Sequence, residues 1–174
     1  GPPTDTTQRF VEGFVMSKWY TGGFDDGLYE VKLTLKDAAG DIDSNIVKVM
    51  LDNTKPTVAL TITEVEVGGV TNPAQPCGVF TQGCIIKGTF SAEDTNFKNY
   101  YFTVEPSILS PNSVSPSTGA YPAISGASGQ NWSLDTTGMQ ACGYVIHIHA
   151  YDRTVVNSGY VGFYTHTSVG FCLT

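Results

Sequence analysis

His147, His149 and His166 are the only histidines in the chain. The first two stand two apart in Y-V-I-H-I-H-A-Y, so they fall on one side of a strand, because side chains alternate between faces with a period of two. His166 lies on the segment expected to pair with that strand. Three imidazoles on one face are a donor set suited to copper or zinc. No fourth ligand is evident, and two histidines on an outer strand face also serve as plain polar surface.

A second signal is the turn D-A-A-G-D-I-D-S-N, where Asp37, Asp41, Asp43 and Asn45 place oxygen ligands at near-alternating positions. Hard oxygens of this kind suit calcium. The loop lacks the glycine and terminal glutamate of an EF-hand, and turns use Asp and Asn for purely conformational reasons. A third signal is aromatic. Tyr100 or Tyr101, with Tyr151 and Tyr164, would present rings that stack on sugars if they face solvent, and alternation allows only about half of the strand aromatics to do so. Trp132 belongs to the core on this reading.

Cys77, Cys84, Cys142 and Cys172 lack the paired spacing and partner histidines of a zinc site. Pairing Cys77 with Cys84 would close a short loop, and Cys142 with Cys172 would tie the open end of the last hairpin. Disulfides would imply an oxidising, extracellular compartment, whereas four free buried thiols would not. No nucleophile elbow, phosphate loop or H-E-x-x-H motif is present, so the sequence reads as non-enzymatic. Asn131-Trp132-Ser133 is an N-glycosylation sequon.

Strands must position these residues. Of 174 residues, 41% are hydrophobic and 14% charged, with 19 Gly and 9 Pro, a balance that favours many short strands joined by turns. A net charge of -7 with only 9 Lys and Arg offers no cationic surface for nucleic acid. No apolar run reaches the length of a membrane span.

The strands repeat. Trp19, Tyr29 and Asp37 recur as Trp132, Tyr144 and Asp152, with identical spacing between tyrosine and aspartate. Tyr29, Val31, Leu33 and Leu35 alternate with Glu30, Lys32, Thr34 and Lys36, the pattern of a half-buried strand. Tyr144, Ile146, Ile148 and Ala150 rebuild that inner face in the second copy. Further strands are expected over 46–51, 57–67, 84–92, 100–105, 130–134, 143–151 and 159–171, with a long Ser-, Pro- and Gly-rich loop over 106–129.

Asp26-Gly27-Leu28-Tyr29, the strand ending in Asp37-Ala38-Ala39-Gly40, and the exit Leu51-Asp52-Asn53-Thr54-Lys55-Pro56-Thr57 resemble the last two strands and linker of bacterial Ig-like repeats, modules of surface and secreted proteins. The resemblance covers 19–57 well and 132–174 less closely. It implies an all-β, immunoglobulin-like β-sandwich fold, with Tyr29 and Tyr144 as tyrosine corners, Trp19 and Trp132 in cores, and a location outside the cell or at its surface. The boundary falls at the Thr54–Pro56 linker. Residues 54–174 then make one complete module, preceded by a partial one over 1–53. That half module is truncated, docks on the second module, or is completed by strands from another chain. The expected role is structural or adhesive, with other modules or copies of itself as partners and a filament subunit among the forms. The alternative is a carbohydrate-binding module of a secreted hydrolase, with polysaccharide as partner.

Overall fold

A computed structural model of the protein describes residues 19–40, 42–109, 112–120, 126–154 and 162–174. Among them, regular structure is strand throughout, apart from one short 3-10 turn at Ser107–Leu109. The chain divides into two compact units, 1–53 and 54–174.

In the first unit, β1 (Gly27–Lys36) and β2 (Ile42–Leu51) form an antiparallel hairpin, with Tyr29 opposite Val49 and Val31 opposite Val47. The Asp37 carboxylate accepts the Ala39 N–H at 2.9 Å and helps close the turn. At the open end, Trp19, Phe24 and Tyr29 meet edge to face with centroids 5.2 to 5.9 Å apart. Asn53 secures this end by donating its side-chain amide to the carbonyls of Thr21 at 3.2 Å and Phe24 at 2.9 Å. Trp19 is nevertheless 41% exposed, so the expectation of a core tryptophan is corrected there. Among the described residues of this unit, the two strands have no second layer to enclose it.

The second unit is an immunoglobulin-like sandwich. One sheet runs in the order β5 (Val79–Phe80), β11 (Tyr164–Leu173), β10 (Gly143–Asp152), β7 (Phe97–Glu105) and β8 (Thr118–Ala120). The other runs β4 (Val70–Pro73), β3 (Thr57–Val67), β6 (Ile85–Glu93) and β9 (Gly126–Asp135). All pairings are antiparallel except β5 with β11. Part of the segment expected as loop over 106–129 is β8 and the start of β9, because strands poor in large apolar residues leave little trace in a hydrophobic pattern.

Burial follows the alternation. Tyr144, Ile146, Ile148 and Ala150 of β10 lie inward against Ile86, Phe90, Trp132 and Leu134. The Trp132 indole N–H donates to the carbonyls of Thr61 at 3.1 Å and Thr89 at 3.3 Å, which satisfies the polar end of a buried ring. Gly88 makes this possible. A methyl group there would collide with the Thr61 carbonyl oxygen and stand 2.7 Å from the indole.

Candidate functional site

The outer face of the five-stranded sheet carries a cluster of rings that core packing does not need. Strand register builds it. His149 of β10 sits opposite Tyr101 of β7 on one side and His166 of β11 on the other, and Tyr151 sits opposite Tyr164. His147 precedes them on the same face, opposite Thr103. The structure therefore brings together Tyr101, Tyr151, Tyr164, His147, His149 and His166. Tyr100 is excluded: it points inward, 5% exposed, against Phe90 with centroids 4.9 Å apart. Its assignment as a surface ring is corrected by parity, since Tyr100 faces Ala150 on the core side of the pairing.

The rings stack on one another. Tyr101 and His149 lie 4.6 Å apart at 14°, His149 and His166 5.8 Å at 21°, and Tyr164 and His166 5.4 Å at 18°. Rings tiled side by side in a plane keep centroids at least roughly 6.5 Å apart, so the shorter of these spacings require overlapping faces. The array consequently offers solvent its edges, the hydroxyls and ring nitrogens, more than broad open faces.

Polar contacts fix the edges. His149 Nδ1 is 2.8 Å from the Tyr164 hydroxyl, and Nε2 is 3.1 Å from Thr103 Oγ1. The Tyr101 and Tyr151 hydroxyls meet at 3.5 Å. Burial, reinforced by the neighbouring His147 and His166, holds the His149 pKa below the ordinary imidazole value. It is thus neutral near pH 7, with both nitrogens engaged. The hydrogen bond to Tyr101, aided by burial, pushes Tyr151 up to about 12. Burial also raises Tyr164. His147 Nε2 is buried without a hydrogen-bond partner, 3.8 Å from the Glu105 carboxylate. Thr103 and Glu105 are site residues that the sequence pattern did not single out, since both sit among ordinary strand formers.

His149 stacks on both His147 and His166, with centroids 5.9 and 5.8 Å apart, while His147 and His166 are tilted at 42°. Among the described residues the three imidazoles do not bring their nitrogens together as a metal-holding group. Of the calcium residues read from the turn, Asp37 lies at the tip, while Asp43 and Asn45 run along β2 opposite Leu35 and Leu33. Asp41 lies outside the described residues.

All four cysteines are free thiols, which corrects both expected disulfides. Cys84 is buried while Cys77 is exposed. Cys172 is exposed and paired in register with Gly143. Cys142 is therefore one residue out of step, beside Leu173, whose N–H donates to its carbonyl at 2.9 Å. In a strand pair, one step of register moves a side chain to the other face. Asn131 of the sequon is exposed on β9 and borders a polar groove with Lys87, Thr89 and Ser133.

Fold and surface together define an immunoglobulin-like sandwich with a ring-lined outer sheet. No protein-family model, curated protein or solved structure matches the chain.

Proposed function

We propose that this chain is a non-enzymatic structural or adhesive segment of a longer surface or secreted protein built from Ig-like modules, in which the β1–β2 hairpin is the last hairpin of a module completed by strands from outside it. The observation that carries this reading is the difference between two equivalent hairpins. In β10 the inward face of Tyr144, Ile146, Ile148 and Ala150 is fully covered by a second sheet. In β1 the matching residues Val31, Leu33 and Leu35 are 42%, 45% and 57% exposed.

An apolar strand face that size calls for a cover, and a sheet like β3, β6 and β9 of the second unit is the kind that fits it. Strands upstream in the same protein or strands of another copy would both supply it. The free thiols remove cysteine chemistry as support for an extracellular location, which rests on the resemblance of the hairpin and linker to bacterial surface modules. Comparing the solution mass of the chain with that of residues 54–174 tests the proposal. Association that requires the first unit supports it, and monomers in both preparations contradict it.

The ring array favours a second reading, carbohydrate binding. Tyrosine hydroxyls and imidazole edges along a sheet give hydrogen-bonding groups to a polyhydroxy ligand. Binding on a polysaccharide array that disappears in Tyr164→Ala supports this reading, and an array blank across plant, microbial and animal glycans contradicts it.

A further inference from the structure

We propose that Asp152 and Asp94, both in the second unit, belong to a binding site for a hard divalent cation, with calcium as the ion. Neither the hairpin nor the ring array enters into this inference, so it stands or falls separately from both. Asp152 closes β10 just past a break in its register with β7, between Tyr151 and Asp152. It is 0% exposed. Its Oδ1 accepts the backbone N–H groups of Thr154 at 2.9 Å and Phe163 at 2.7 Å. Its Oδ2 is equally buried and has no hydrogen-bond partner.

A buried carboxylate is ordinarily satisfied on both oxygens, and one left open asks for a positive partner. Asp94, half-buried just after β6, brings a carboxylate oxygen within 4.8 Å of that of Asp152. Two carboxylates this close repel each other unless a cation lies between them or a proton is taken up. Oxygens each about 2.3 to 2.6 Å from one calcium ion can stand up to roughly 5 Å apart, so the observed limit fits a shared ion.

The pair is held in place by backbone. The Asn96 N–H donates to Asp94 Oδ1 at 2.7 Å, and the Arg153 N–H donates to the Asn96 carbonyl at 2.9 Å. The segments carrying the two aspartates are thus tied to each other without using Asp152 Oδ2. Gly162 completes the setting, since a methyl group there would stand 2.5 Å from Asp152 Oδ1. An all-oxygen donor set selects a hard ion, and calcium, which accepts irregular geometry and water as remaining ligands, fits two carboxylates better than magnesium with its strict octahedron.

The test is thermal unfolding and titration calorimetry of the whole chain with calcium, with magnesium and with chelator. Calcium is expected to raise the unfolding temperature by several degrees and to bind once per chain. Asp152→Asn disturbs a buried anchor of two N–H groups and can fail to fold, so Asp94→Asn, at a half-buried position, is the deciding variant. It is expected to fold and to lose both the heat of binding and the temperature shift. Equal unfolding temperatures with calcium and chelator overturn the proposal, as does a shift that survives Asp94→Asn. A shift lost instead in Asp43→Asn places the ion in the hairpin and likewise overturns it. A larger shift with magnesium overturns the choice of calcium.

Discussion

The Tyr144 hydroxyl donates to the carbonyl oxygen of Gln140, four residues upstream, at 2.9 Å. Tyr29 makes the equivalent bond to Asp25 at the same distance. Both ties fix the entry of a hairpin strand in the manner of a tyrosine corner. Among the described residues only the Tyr144 corner lies over a closed core, where burial raises the phenol pKa.

Removing the hydroxyl should therefore matter unequally. Tyr144→Phe is expected to lower the stability of the second unit by about 1 kcal/mol, the net worth of one hydrogen bond with its acceptor left unpaired. Tyr29→Phe should leave that unit's urea midpoint unchanged. Denaturation followed by Trp132 fluorescence checks both.

Gly88→Ala is expected to cost about 1 to 3 kcal/mol, because the added methyl overpacks the contact between the Thr61 carbonyl and the Trp132 ring. The same urea curves would show it, together with a red shift of the native emission if the indole is displaced.

Stability should also depend on pH through His149. Its folded pKa lies below the ordinary value of 6.5, so the unfolded chain binds the proton more readily than the native state does. The contribution is present in full above about pH 6.5 and is lost as pH falls from there through the depressed folded value. The groups facing it are His147, His166, Tyr101, Tyr164, Thr103 and Glu105. Unfolding midpoints measured from pH 8 down to pH 4 should fall in that window, and His149→Gln should reduce the slope.

Ultraviolet titration gives an independent check of the ring array. Tyr151, pushed up to about 12 by its contact with Tyr101, should ionise well above the ordinary phenol near 10. Tyr101→Phe is expected to bring it back toward the ordinary range. An unchanged titration curve would show that the two hydroxyls do not meet.

Much of the sandwich was legible because its strands alternate strictly. Thr57–Val67 matches its expected span, and the Tyr144-to-Ala150 face is buried as the pattern required. Parity within one strand was readable as well, which placed His147 and His149 together. What the sequence could not carry was register between strands. Tyr100-Tyr101-Phe102 is aromatic at both parities, so only the pairing of Tyr101 with His149 decides which tyrosine reaches solvent. The Cys142–Cys172 pairing failed for the same reason, since Cys172 meets Gly143 and not Cys142. Asp152 was visible as a repeat of Asp37, but its burial and its proximity to Asp94 depend on the meeting of segments far apart in sequence.

Central to this account is that the apolar face of the β1–β2 hairpin needs strands from outside to cover it. Light scattering over a concentration series, on the whole chain and on the same chain carrying Leu33→Lys and Val47→Lys, measures this directly. The expected result is reversible association of the unmodified chain as its bare faces cover one another, and a monomer at all concentrations once the charges are introduced. An unmodified chain that stays monomeric throughout the series would contradict the account.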